Sequence, residues 1–479
     1  MRWLTGVLAA VALLAAGCGG TTAQPNAGAS TIVPASAPAF ITIDADPHSQ
    51  QWHTIDALAS KFADKQKAVD SIKDDMRKDG VEWDRDVKPV LQGELDFVWL
   101  DFENDGQDFV MLMQPKNEAK FKTIVAKANK SEKNPSDRVV YEKFRGWHVL
   151  AQKQATIDRF ERMSSSEAKS LADDKAFKQS MDRLGKDALV RAFVNGKFVM
   201  NLARKYGGGE LQPYIDKVGT LDWAALRFGA TSDGVGVDTI VHGTPGSLFK
   251  GAMKSSAFSP KLLGTVPADA LLSISFRGTK NMFGGLRDNP AFNTPQFRQF
   301  AKPLEQLGRI LEGENAVYAR PGKGRIPEVT LVSTPKTDGV AIIDRMVKQF
   351  AGSAPQAVSI DGVPAHAMAS NGVGLYYASV DGKLVVTDQP AGIRSAKSPG
   401  DALSDSSEFK DAKAAAGAPD KTWGLLYVNI SSSVPYVEKV AGERIPAEIA
   451  RNLKPLRSAV EYAASHTHEF QVSFFLRIK

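Results

Sequence analysis

Cys18 is the only cysteine of the chain, and it closes the segment Leu13-Leu14-Ala15-Ala16-Gly17-Cys18. A thiolate is the only good sulfur nucleophile available to the chain, so thiol chemistry has one place to occur. Ala15, Ala16 and Gly17 are small enough to leave the backbone open to a peptidase. The histidines are His48, His53, His148, His242, His366, His466 and His468. His466 and His468 share one face of a predicted strand and could pair as metal ligands. No cysteine, third histidine or aspartate at ligand spacing completes a zinc site, and Glu469 points to the opposite face. His48 and His53 stand five apart on a predicted helix, off the i, i+4 alignment of zinc helices. No Gly-x-Ser-x-Gly elbow and no phosphate-cradling glycine loop occurs, and Gly207-Gly208-Gly209 reads as a turn. The acidic pairs Asp101/Glu103 and Asp173/Asp174 are of a kind common on surfaces. The residues therefore name no catalytic centre, no metal site and no cofactor, and enzyme activity is not expected.

The N-terminus must place that thiol. Arg2 gives a positive start, and Trp3 to Ala16 is apolar but shorter than the roughly 20 residues of a membrane span. No later apolar run approaches that length. Residues 18–479 suffice for two or three domains of about 100–200 residues. Hydrophobic content of 43% and charged content of 24% allow each domain a core. Without a second cysteine there is no intrachain disulfide, so stability must come from burial. A net charge of +6 and a pI near 9.0 fit loose attraction to anionic lipids or wall polymers. Cations and acids are interspersed, and nucleic-acid binding is not expected.

Gly19 to Ser36 is rich in Gly, Ala, Ser, Thr and Pro, a flexible composition, and 18–32 is read as a tether. Beyond it the sequence repeats itself. Val33-Pro34-Ala35 with Phe40 to Ile43 aligns on Val266-Pro267-Ala268 with Ser273 to Phe276. Gly93-Glu94 and Pro115-Lys116 align on Gly313-Glu314 and Pro335-Lys336. Gly146, Val149, Ala155 and Ile157 align on Gly382, Val385, Ala391 and Ile393; Leu171, Asp173 and Phe177 on Leu403, Asp405 and Phe409. Val194-Asn195 matches Val428-Asn429, and Pro213 to Val218 matches Pro435 to Val440. The order is constant, so two copies of one domain are expected at 33–245 and 266–479, joined by a linker at 246–265.

Local patterns agree between the copies. Phe97–Phe102 and Phe109–Met113 flank Asn104-Asp105-Gly106 as a hairpin, and Leu375–Val380 and Leu384–Thr387 flank Asp381-Gly382. Phe121, Ile124, Val125 and Ala128 recur at helical spacing, as do Ile343, Met346, Val347 and Phe350. Trp52, Ile55, Leu58 and Phe62, continued by Val69, Ile72 and Met76, form a core stripe. Each copy closes on alternation: Val235, Val237, Thr239, Val241, then Phe470, Val472, Phe474, Leu476, Ile478. One face buried and the other wet implies an antiparallel sheet with helices mainly on one face, an α+β class.

The segment ending at Cys18 resembles the lipobox of bacterial lipoprotein precursors, with Ala15 where leucine is commonest. The resemblance implies a signal peptide at 1–17, cleavage after Gly17, a diacylglyceryl group on the Cys18 thiol and localisation on the extracytoplasmic face of the cell membrane. Gly80 to Leu95, with Asp86-Val87-Lys88-Pro89 running into Gly93-Glu94, is similar to a segment of an uncharacterised bacterial family, domain of unknown function 3352. So are Val266 to Asp269 and the hairpin Val380 to Val386. That likeness supplies an architecture and no catalytic residues. The expectation is a lipid-anchored, non-catalytic binding or structural protein, its partner a cell-surface protein, a wall polymer or an apolar ligand. A carrier of lipid in a sheet–helix cavity is the alternative, and a degenerate hydrolase the last. Cys18→Ser should leave folding intact and release the protein from membranes, read by cell fractionation; continued membrane sedimentation would refute the anchor.

Overall fold

Each half of the chain grows outward from one strand that is paired on both edges. The computed structural model describes residues 28–78, 80–103, 106–208, 219–246, 256–284, 301–323, 326–370, 373–398 and 400–479, together with 212, 215 and 217. Cys18, the 1–17 segment, Asn104-Asp105, Gly209 and most of Pro213 to Val218 lie outside the described residues. Two compact units result, one holding the described residues of 28–208, 220–243 and 479, the other those of 209–219 and 244–478.

In the first unit β1 (Ala39–Asp44) lies antiparallel between β2 (Glu94–Trp99) and β6 (Val190–Asn195). On one side follow β3 (Phe109–Met113), β5 (Trp147–Ala151) and the edge strand β4 (Val140–Phe144). On the other come β7 (Gly219–Thr231) and β8 (Gly234–Pro245). In the second unit β9 (Leu272–Gly278) lies between β10 (Gly313–Arg320) and β16 (Gly424–Asn429). Outward from β10 run β11 (Glu328–Ser333), β15 (Lys383–Thr387) and β14 (Val373–Val380). The hairpin partners β13 (Val363–Ser370) and β12 (Gln356–Ile360) extend that side. Outward from β16 run β17 (Leu456–His466) and β18 (Glu469–Ile478). The order β4-β5-β3-β2-β1-β6-β7 of one unit thus recurs as β14-β15-β11-β10-β9-β16-β17, with the β12–β13 hairpin added.

The matched residues occupy matched positions. Glu94 accepts the backbone N–H of Ala29, and Glu314 that of Leu262, each at 2.6 Å. Each carboxylate so holds a short 3-10 turn, Ala29–Thr31 or Lys261–Thr265, against the sheet. Leu171 and Leu403 donate their N–H to the carbonyls of Val33 and Val266, each at 2.7 Å. These turns bury Ala29, Leu262 and Leu263, so the ends of the expected tether and linker are folded rather than loose.

Helices α1 (Gln50–Ala59), α2 (Lys65–Lys78), α3 (Glu118–Ser131), α4 (Gln154–Ser166), α5 (Lys175–Leu184) and α6 (Gly196–Tyr206) complete the first unit. The stripe from Trp52 to Met76 is therefore two helices, broken at Ser60–Asp64. His48 precedes α1, so it shares no helix with His53. The second unit has α7 (Ala301–Ile310), α8 (Gly339–Ala351), α9 (Pro390–Lys397), α10 (Ser407–Ala415), α11 (Ile430–Ala441) and α12 (Ala447–Leu453). Asn195 and Asn429 cap α6 and α11 with side-chain oxygens.

The class is α+β, but helices in the first unit cover both faces of the sheet rather than mainly one. Phe40, Val98, Leu112, Phe193 and Trp223 form one buried layer with Ile157 and Phe160 of α4 and Phe177 of α5. The Phe177 ring stands edge-on to Phe40 at 5.5 Å and to Phe193 at 5.4 Å. Each such buried aromatic contributes on the order of 2–3 kcal/mol. On the reverse face Phe97, Met111 and Leu150 pack under Phe121 and Val125 of α3. Trp52 and Met76 bring α1 and α2 against Leu189. The reason lies in Val110-Met111-Leu112-Met113 and Phe97-Val98, which are apolar without alternation and need cover on both sides.

One group in that first layer works against the fold. Asp96 is fully buried, faces Thr42 across the ladder and makes no well-formed hydrogen bond. Burial, reinforced by the nearby Glu94 carboxylate, pushes it far above the usual carboxylate range, and burial lifts Asp44 to about 6. The folded state then holds protons that the unfolded chain has released above about pH 4, so stability falls as pH rises from there. The second unit carries Ala316 at the corresponding rung, opposite Ser275. Asp96→Ala should raise stability at neutral pH by about 1–3 kcal/mol and flatten its pH dependence, measured by urea unfolding at acid and neutral pH. Destabilisation at neutral pH would contradict this.

Candidate functional site

The two faces of the second unit's sheet differ sharply in cover. On one, Ser275, Ala316, Tyr318, Val332, Leu425, Tyr427, Val460 and Tyr462 are all buried, roofed by Leu403 and by Phe409 of α10. Burial raises the Tyr318 and Tyr427 phenols to about 12. Arg477 of β18 reaches Asp411 of α10 at 2.7 Å.

The opposite face carries two apolar rows at right angles to the strands. Leu331, Val317, Ile274, Leu426, Glu461 and Phe474 form one, partner to partner across six strands. Val329, Ala319, Leu272, Val428, Ala459 and Leu476 form the other. Of all these only Ala459 is buried; Phe474 is 39% exposed and Val329 44%. Glu461 is the one ionisable member. Folded domains seldom leave so broad an apolar face half open unless something binds there.

Alternation in the closing strands therefore pointed to the less buried side. Phe470, Val472, Phe474 and Leu476 are half-buried or exposed, while Ser473, Phe475 and Arg477 are buried. Ile478 alone of the expected set is buried. In β8 likewise Val235, Val237 and Val241 are half-buried and Ile240 is buried. Period two shows that faces differ; which face meets the helices is decided elsewhere, here by the α4–α5 and α9–α10 connections.

A polar cluster that the sequence does not announce joins α8 to the β13–β14 hairpin. The His366 ring lies 2.9 Å from Asp344 and is stacked at 5.2 Å on Tyr377, whose hydroxyl donates to the same carboxylate at 2.6 Å. Burial and that bond push the phenol above its ordinary range. Only strand pairing, which sets His366 opposite Tyr377, brings these residues together. An aspartate beside a histidine is part of a general-base arrangement, but among the described residues no Ser, Thr or Cys is hydrogen-bonded to His366. The cluster ties helix to sheet. His242 stacks similarly on Trp223 and meets Asp222 at 3.1 Å.

His466 and His468 sit at the β17–β18 turn, His468 with φ 63°, both exposed. Arg159 engages Asp101, and Lys205 engages Glu103 at 2.6 Å, so neither carboxylate of that acidic pair stands alone. Among the described residues no group of three His, Cys, Asp or Glu side chains could hold a metal ion. No described helix is long and apolar enough to cross a membrane.

No family model matches the chain, and no curated protein matches it. Two solved chains do. "Structure of crystal form IV of TP0453" is 17% identical over 45% of this chain and 79% of that one, with a TM-score of 0.26. "Structure of crystal form III of TP0453" is 14% identical over 46% of this chain and 80% of that one, also at 0.26. Scores at this level inform neither fold nor function.

Proposed function

We propose that the chain is a lipid-anchored, non-catalytic protein of the extracytoplasmic face of the cell membrane, and that its second unit binds an apolar ligand on the open sheet face. The paired rows Leu331 to Phe474 and Val329 to Leu476 carry this reading. Their side chains offer area and dispersion contacts with almost no hydrogen-bonding capacity, which suits an acyl chain better than a polar solute. Each rung covered removes apolar surface from water, at roughly 25 cal/mol per Å². Cys18, if acylated, keeps that face close to a source of such ligands.

The lipid-free mature protein, purified without detergent and extracted with organic solvent, should yield stoichiometric lipid. Leu426→Asp, at a half-buried position in the middle of one row, should abolish this with little change in thermal midpoint. It should also lower binding of a fluorescent fatty acid at least roughly tenfold, the loss expected from about 1.4 kcal/mol of apolar contact. A clean extract together with unaltered fatty-acid binding by the variant would reject the apolar-ligand reading.

A further inference from the structure

The chain's excess charge is not spread over it. From Pro115 to Lys153 ten lysines and arginines stand against four acidic residues, a net +6 that equals the charge of the whole protein. The remaining chain is neutral. In the second unit the corresponding stretch, Pro335 to Gln389, holds four cations and five acidic residues. Both stretches build the same helix over the same strands, so the fold does not demand the charge.

The structure gathers it onto one surface. Asn129 of α3 exchanges hydrogen bonds with both backbone groups of Val139, each at 2.8 Å, pinning the start of β4 beside the end of the helix. At the other end Glu118 takes Lys143 of β4 at 2.6 Å and Lys122 at 3.4 Å. Between these clamps the outer side of α3, the 132–138 loop and β4 form one face. Lys116, Lys120, Lys122, Lys130, Lys133, Arg138, Lys143 and Arg145 are exposed there. Lys127 is bound to Asp86 at 2.9 Å. Among the described residues Lys116, Lys130, Lys133 and Arg138 have no acidic partner.

We infer that this α3–β4 face docks on the anionic headgroups of the bilayer that carries the chain. The cations are mostly lysines, spread over a helix, an edge strand and the loops at their ends. Such compact, mobile point charges suit a diffuse anionic surface better than a bidentate phosphate site. The choice of a bilayer over a soluble polyanion rests on the lipid-anchor reading. Gly28 lies ten positions after Cys18, a reach of at most about 35 Å. The chain enters the fold beside Glu94, and Leu95 pairs with Met113, after which the chain runs directly into α3. The tether and the basic helix therefore leave the sheet from the same end.

The test takes the lipid-free mature chain from Gly19 and sediments it with phosphatidylcholine vesicles with and without phosphatidylglycerol. Binding should require the anionic lipid and fall steeply with salt. The triple variant Lys130→Glu, Lys133→Glu, Arg138→Glu should bind on the order of 100-fold more weakly, at about tenfold or less per basic residue. Lys336→Glu with Lys348→Glu, in the second unit, should bind as the parent does. Equal binding to neutral vesicles, an unaffected triple variant, or binding to polyphosphate but not to vesicles would overturn the inference. Mass spectrometry of the native N-terminus separately decides the anchor: an unmodified Cys18 would end that reading while leaving the vesicle result to stand alone.

Discussion

A carboxylate that receives a backbone N–H, half-buried in Glu94 and buried in Glu314, fixes the entry of each unit. Glu94 holds Ala29 and Glu314 holds Leu262 at the same 2.6 Å, and the short turn so held delivers the chain into a central strand. That strand is paired on both edges, so its register sets the register of everything outside it. A charge-assisted bond of this kind is stronger than a neutral one and costly to break when partly buried. The next bonds out, Leu171 to Val33 and Leu403 to Val266, close a second loop over the same turn. The same contacts thus recur at the beginning of each unit.

Around that shared frame the two interiors are filled differently. The first unit stacks Phe40, Val98 and Phe193 on three neighbouring strands, and the second places Ser273, Tyr318 and Tyr427 on the same rungs. A large side chain lost from the central strand is made up by a larger one beside it. Phe177 and Phe409 meet the changed neighbour almost identically, edge-on to Phe193 at 5.4 Å and to Tyr427 at 5.2 Å. Total volume and ring geometry persist while identity drifts, as close-packed interiors require.

This explains what was legible in the sequence. Many of the matches that aligned were Gly-Glu at the held turn, Val-Pro-Ala before the strand, Asn at the helix caps and Gly146 with Gly382 at hairpin turns, positions where backbone geometry restricts the residue; the others, such as Leu171 with Leu403 and Phe177 with Phe409, are core residues kept in kind. At core positions such as Phe40 and Ser273 the residue types differ, so their equivalence was legible only through the flanking match, because packing constrains their sum. The α3 and α8 helices and the β14–β15 hairpin followed from periodicity and turn chemistry. The cover of each face did not, since alternation carries no sign, and the helices over Trp52 were divided by a break that the apolar stripe ran across. The open apolar rows were illegible for the same reason. They are assembled from six strands spread between Leu272 and Leu476, and only the pairing lines them up. The concentration of charge in α3 and β4 could have been found by counting within a window, but its gathering onto one surface depends on Asn129 and Glu118.

The hairpin β12–β13 makes the outer borders of the two sheets unequal. In the second unit it shields the strand equivalent to β4, whereas among the described residues β4 pairs only with β5, leaving its outer edge beside Glu142 and Lys143 without a strand partner. On the proposed lipid anchor, copies would be confined to a plane, where they would collide side-on far more often than when diffusing freely. A bare border on such a population would invite neighbouring copies to zip together. On β4 such pairing would desolvate the ionised Glu142 and Lys143, a cost that opposes it.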